Sequence, residues 1–478
     1  MTEKVKLSLF YLIGFLFITL NLWMIYFHEF YWFNLLPVAL IVIGFALFSL
    51  DKLVMFIVFF TPLSVNLEQL EFGLGLALPT EPLIFGATLL FYIKLLLYER
   101  FDYKLIRHPI TYAVIFHLAW IFITVFPSEM PLVSFKFFVS RLWFVTTFYF
   151  IAMYLFKRDK SNIFKYIWLY ILGFVPIIIY TLYNHAIRGF EHQPAHWVMQ
   201  PFFKDHTSYG AILAMYLPFL ATVLWSKRYM FTTKMVIFLV LLVFVVGVIF
   251  SYTRAAWVSL AGAFAVFMLM KLRIRFSVLA TVALLLIGLF FAFRVEIMQK
   301  LEKNRQDSSD ELTEHIQSIS NVATDASNLE RLNRWSCAWR MFKERPVFGW
   351  GPGTYMFQYA PFQRSYEMTV ISTNFGDLGN AHSEYLGPLA EQGVLGLVNM
   401  LMIVMVSVYV GVRLYFKIRD PEDKRIIMAV LLGLITYFLH GLLNNFLDTD
   451  KASVPFWGFL AVLTVMDVYY SGKNTLKG

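Results

Sequence analysis

Cysteine is almost missing from this sequence of 478 residues; Cys337 stands alone. A disulfide framework is therefore excluded and a thiolate metal cage disfavoured. Cys337 itself reads as a small apolar residue on a helix. Charge is also scarce, at 15% against roughly a quarter in soluble domains. The strict apolar/polar alternation of a membrane β-barrel is absent. No acidic pair or His/Asp cluster has the spacing of a metal site, and no cofactor is expected. There is no soluble domain and no nucleic-acid motif. No internal repeat relates one half of the chain to the other, as it does in many transporters.

Apolar residues make up 59% of the chain and aromatics 19%. They fall into runs at 7–26, 32–50, 53–65, 80–97, 109–126, 135–156, 163–183, 206–226, 235–251, 255–270, 276–293, 386–412, 426–445 and 454–470. Backbone groups in lipid must be satisfied within their own segment, so these runs read as helices. The expected fold is an all-α integral membrane protein with about 12–14 transmembrane helices, each of about 20 residues. The third run is short and interrupted by Pro62. Met1–Lys6 and the apolar run behind it resemble a signal peptide, but no small-residue cleavage site follows, so an uncleaved first helix is expected.

Short loops set the orientation through their Lys/Arg bias. With the N-terminus cytoplasmic, the inner loops carry Arg100, Lys104 and Arg107; Lys157, Arg158 and Lys160; Lys227, Arg228 and Lys234; Lys271, Arg273 and Arg275; and Arg413, Lys417, Arg419, Lys424 and Arg425. Glu29, Glu68, Glu71 and Glu129 fall in outer loops. Both termini are then cytoplasmic. The chain divides into N-terminal helices at 1–200, helices around the Arg254 turn at 201–293, a large outer loop at 294–385 and C-terminal helices at 386–478.

In that outer loop, 306–326 is polar and expected to be mobile or weakly helical. Asn328 to Arg345 is expected to form an amphipathic helix, with Leu332, Trp335, Trp339 and Phe342 as its apolar stripe. Arg331 and Arg334 lie one turn apart on it. A helix lying on the lipid surface, arginines reaching to headgroups, is an alternative reading. Pro346 ends the helix, and Gly349-Trp-Gly-Pro-Gly353 reads as a tight turn. The aromatic stretch from Tyr355 to Tyr366 follows, and then His382, Glu384 and Tyr385 stand where the chain re-enters the membrane.

Threading brings more polar residues to the same outer level: Arg254 in Ser251-Tyr-Thr-Arg254, Lys204, Asp205 and His206 before one helix, and His440, Asn444, Asn445 and Asp448 after another. Arg141 lies inside a span, where an ionisable group defaults to a functional hypothesis. Its alternative role is as a structural partner for a carboxylate or helix-end carbonyls. Guanidinium forks suit a diphosphate. A histidine among cations is kept neutral and can act as a general base.

Four stretches in this order resemble the O-antigen ligase / O-antigen polymerase superfamily of bacterial membrane glycosyltransferases. They are Ser251–Trp257, the helix from Arg331 running into Pro346–Gly353, Asn380-Ala-His-Ser-Glu-Tyr-Leu386, and Glu391-Gln-Gly-Val-Leu-Gly396. The similarity covers about residues 200–450. Ser383 stands where the family often has Asn, and Asp205-His206 where Asn is common. The resemblance implies an O-antigen ligase-like enzyme of the bacterial inner membrane, with its site facing the periplasm. It would move a glycan from undecaprenyl diphosphate to an acceptor hydroxyl, lipid A-core in the first instance, without a metal. A repeat-unit polymerase, a protein O-oligosaccharyltransferase and, from another class, a transporter of a lipid-linked sugar remain as alternatives. By analogy His382 would be the base and Arg254 would grip the diphosphate. Arg141, Lys204, His206, Arg331, Arg334, Glu384 and Tyr385 are the further candidates for substrate binding, beside the membrane lipids as partners.

Overall fold

The computed structural model describes residues 3–29, 32–34, 36, 44, 49–66, 77–97, 101–273, 326–369, 372 and 379–471. Their order is α1 (Glu3–His28), α2 (Leu50–Phe60), α3 (Thr80–Leu97), α4 (Pro109–Val125), α5 (Pro131–Arg158), α6 (Ser161–Ala186), α7 (His206–Val223), α8 (Phe231–Phe250), α9 (Arg254–Lys271), α10 (Ala326–Glu344), α11 (Leu386–Lys417), α12 (Pro421–His440) and α13 (Asp450–Tyr470). This is an all-α membrane protein. Among the described residues, seven helices are long and apolar enough to cross a bilayer.

Local chemistry sets many helix starts. Proline opens α4, α5 and α12, where its missing N–H costs nothing. Side chains cap α4 through His108, α7 through Asp205, α12 through Asp420 and α13 through Thr449. The expected span at 53–65 is an eleven-residue helix, Leu50–Phe60. It covers about 16 Å, roughly half of the hydrocarbon core. A turn over Thr61–Leu63 ends it, and Val65–Asn66 then pairs antiparallel with Ala77–Leu78. The expected segment at 276–293 and the polar stretch 306–325 lie outside the described residues, as does most of 32–50.

α13 is the central post: 83% of its membrane window is buried inside the protein, against 22% for α8. Tyr149 on α5 bridges it to α4, its hydroxyl 2.7 Å from Thr111 and 3.0 Å from Thr464. Such interhelical bonds hold helices together where water is absent. Gly433 lets α12 approach the backbone of α7 at Met215, where any Cβ would collide.

The outer-loop helix α10 turns part of its apolar stripe outward. Leu332 is 43% and Trp339 48% exposed. The buried face is instead Glu330, Asn333, Arg334, Cys337, Ala338 and Met341. Apolar side chains need not turn inward in a membrane protein, so hydrophobicity alone does not say which face packs on the bundle. Burial pushes the Cys337 thiol up to about 11, despite Arg340 and Arg334 nearby. It stays protonated and inert.

A glycine knot ties the outer loop to the membrane domain. At Gly393 (φ 70°, ψ −165°) α11 leaves helical geometry. The carbonyls released there accept from elsewhere: Ala390 from the Trp350 amide (3.1 Å), Glu391 from the Gly351 amide (2.8 Å) and Gln392 from Trp120 Nε1 (2.9 Å). Val394 N–H returns a bond to Pro346 O (2.9 Å). Gly349 has φ 69° and faces the Glu391 backbone, where a Cβ would collide. The two glycine motifs therefore form one interface.

Candidate functional site

The site lies at the end of the bundle where α7 and α9 begin and α12 ends. Asp205 caps α7, its Oδ1 accepting from Thr207 N (2.9 Å), Thr207 Oγ1 (2.6 Å) and Ser208 N (2.8 Å). Burial opposes its charge, but these bonds outweigh that and hold its carboxyl below the usual range. His206 is the first residue of α7. Its carbonyl accepts from Thr253 Oγ1 at 2.7 Å, and Gly210 leaves the room that Thr253 fills. Tyr252 takes the left-handed conformation (φ 49°). This tight turn sets Arg254 as the first residue of α9, beside the start of α7.

Two residues without a periodic signature join this group. His196 packs edge-on against His206, ring centroids 4.2 Å apart, and His192 lies 5.2 Å from His196 and 5.1 Å from Tyr252. Their loop, 187–205, carries no repeating pattern from which their convergence could be read.

α10 supplies the arginines. Arg331 Nε donates to Leu443 O at 3.3 Å, in the turn after α12. Arg334 is more enclosed. It pairs with Glu330 at 2.6 Å, its guanidinium lies 3.8 Å from the Tyr359 ring centroid, and Gly379 packs against it. Burial disfavours the Glu330 charge, but hydrogen bonds from Ser372 and Arg334 prevail and keep its carboxyl below the usual range.

His382 stands on the turn before α11. Its backbone is left-handed (φ 48°), a conformation that costs about 1–3 kcal/mol in a non-glycine residue. Asn380 Oδ1 accepts from its amide at 3.0 Å. Ser383 Oγ accepts from the amides of Tyr385 and Leu386, both at 3.3 Å, and so helps start the helix. The imidazole is partly buried. Burial first, then Arg331 and Arg334, push its pKa down to about 4, with Asp205 and Glu330 pulling the other way. The ring is therefore neutral near pH 7. Arg331 and Asp205 also lie within electrostatic reach of His206 and His440. His440 contacts Asn444 through Nε2 at 3.1 Å.

Glu384 and Tyr385 face inward. Glu384 Oε1 accepts from Tyr437 OH (2.6 Å), Phe446 N (2.7 Å) and Leu447 N (2.9 Å), while its amide donates to Gly441 O (2.8 Å). Burial raises its carboxyl above the usual range, against the Arg141 charge and the Tyr437 bond. Tyr385 OH donates to Phe438 O at 2.9 Å. Arg141 lies beneath this clasp, 6% exposed, donating to Leu447 O at 2.9 Å with Phe137 5.2 Å away. Of its two readings, the carbonyl partner is the geometry observed. Lys204 is exposed at the rim.

Of the sequence candidates, His206, Arg331 and His382 thus gather with Asp205, and Arg254 follows Thr253, which bonds the His206 carbonyl. Arg141, Glu384 and Tyr385 bind protein groups below them, and Arg334 is held by Glu330 and Tyr359. Among the described residues, no three His, Cys, Asp or Glu are placed to share a metal ion. A family model described as O-Antigen ligase matches residues 237–401. That stretch contains the Arg254 turn, α10, the glycine knot and His382. No curated protein matches the chain.

Proposed function

We propose that this chain, a member of the O-antigen ligase superfamily through residues 237–401, moves a glycan from undecaprenyl diphosphate to a hydroxyl of lipid A-core at the periplasmic face of the inner membrane. The observation that carries this reading is His382, on a left-handed turn at one end of a membrane bundle with Arg331 and Arg334 within electrostatic reach. Arg254 and Arg331 hold the donor diphosphate, whose oxygens match the guanidinium fork. His382 takes the proton from the acceptor hydroxyl. The acceptor oxygen forms its bond to the anomeric carbon as the bond from that carbon to the diphosphate oxygen breaks. Undecaprenyl diphosphate leaves, its negative charge balanced by the arginines.

A pKa near 4 makes His382 a weak base. A bound diphosphate offsets Arg331 and Arg334, so the same ring becomes more basic when the donor is present. Glu384, Tyr385 and Arg141 act as positioning residues that fix the turn bearing His382.

The glycan profile of a deletion strain tests the acceptor. Long polymer left on the carrier lipid with bare lipid A-core supports the reading. Core carrying one repeat unit points instead to a polymerase, and normal lipopolysaccharide with missing glycoproteins to a protein acceptor.

A further inference from the structure

At the end of the bundle away from His382, helices α7, α8, α9 and α12 leave a cavity of about 980 Å³. Phe264 and Phe267 line it on α9, and Trp225, 79% exposed, stands beside it. Its mouth is basic. Lys271 ends α9, and Lys424 and Arg425 stand near the start of α12. Cations at a helix N-terminus oppose its dipole, so helix stability does not account for Lys424 there.

Nearby carboxylates leave the mouth positive. Glu422 is held by Ser226 Oγ (2.5 Å), the Lys227 amide (3.1 Å) and Arg425, and Asp423 pairs with Lys160. Among the described residues, neither Lys271 nor Lys424 joins an ion pair, and the Lys424 ammonium lies 5.6 Å from the Tyr415 ring centroid. From Leu260, also in the wall, to Lys271 the helix rises about 16 Å. One leaflet of the hydrocarbon core is about 15 Å deep.

We propose that this groove binds an anionic diacyl phospholipid of the cytoplasmic leaflet. Its acyl chains lie along Phe264 and Phe267, and its phosphate sits between Lys271, Lys424 and Arg425. The apolar depth matches an acyl chain, and the net positive mouth selects a negative headgroup over a zwitterionic one. Each basic residue is worth about fivefold in affinity for an anionic lipid at a membrane surface.

The full-length protein in vesicles, labelled with photoactivatable phosphatidylglycerol or phosphatidylcholine and mapped by peptide mass spectrometry, tests this. Phosphatidylglycerol is expected to label peptides spanning 264–271 and 421–428 at least about fivefold more than phosphatidylcholine. The double variant Lys271→Gln, Lys424→Gln should lose that preference while labelling elsewhere persists. Equal labelling of the wild-type groove by both lipids overturns the proposal, whatever the variant does. So does a photoreactive phenylalanine at position 264 that links to residues 276–293 of the same chain. Neither readout depends on glycan transfer.

Discussion

The two ends of this helix bundle place their histidines in different company. At the end away from the candidate site, acids meet bases. Asp467 pairs with Arg413, and with Lys417 at 3.7 Å and His108 at 3.3 Å. Asp102 pairs with Lys157 at 2.5 Å, Asp423 with Lys160, and Asp51 with Arg158. At the other end Arg334 pairs with Glu330, Arg340 with Glu367 and Arg345 with Glu129, but histidines and Arg331 also converge around Asp205. His382 lies within the fields of Arg331 and Arg334, and His206 within those of His196, His192 and Arg331. Two histidines make the contrast sharp. His108 caps α4 through Nδ1 and meets Asp467 through Nε2. His382 sits on a strained turn within reach of Arg331 and Arg334, with Asp205 and Glu330 as weaker opposing neighbours. Paired charges hold helix ends together. Histidines and arginines gathered at one end are an arrangement that suits an anion.

The largest effect should come from removing His382. His382→Ala is expected to lower transfer by at least about 10²-fold, in keeping with loss of a general base, while membrane levels stay normal. Arg254→Lys should weaken donor affinity by about tenfold or more, because a point charge lacks the fork. Its melting temperature should stay unchanged. A titration with lipid-linked glycan checks this, and near-normal affinity would place the diphosphate elsewhere.

Glu384→Ala sharpens the comparison from the structural side. It strands Tyr437 OH and the amides of Phe446 and Leu447 in a buried clasp, at about 1–3 kcal/mol for each donor left without a partner. Melting temperature and activity should fall together. Lost activity at full stability would instead make Glu384 a substrate contact.

The pH profile gives a smaller effect of definite sign. Burial, then Arg331 and Arg334, push the His382 pKa below the usual histidine value to about 4, and in the proposed mechanism the neutral ring is the base. Thus kcat/KM, which reports the free enzyme, should stay nearly level from pH 7 to 5 and fall as pH drops through about 4. A fall near the ordinary histidine value would contradict the arginine neighbourhood. The smallest effect is expected of Ser383→Asn. Both residues cap helices well, so transfer should change less than about twofold.

Much of the membrane fold was legible in the sequence because apolar length is a direct physical signal. The run at 80–97 matches α3 at both ends, and 163–183 lies within α6 (Ser161–Ala186). Hydrophobicity gave the helix α10 but not its facing: Leu332 and Trp339 face outward and Arg334 inward. The pairing of Gly349 with Glu391 was not readable either, since a backbone-to-backbone contact over that separation leaves no periodic trace. Arg254, His206, Arg331 and His382 could be named as candidates by charge at a common level. The roles of Glu384 and Arg141 as internal partners appear only once Leu447 is seen between them.

The most direct test is a transfer assay with purified full-length protein in vesicles, using undecaprenyl-diphosphate-linked glycan and lipid A-core. His382→Ala is compared with wild type for both product and bound donor. The account predicts no detectable product with donor binding retained within about threefold, since the arginines that hold the diphosphate are intact. Product formation by His382→Ala at a rate close to wild type would contradict it, because the proton would then have another acceptor.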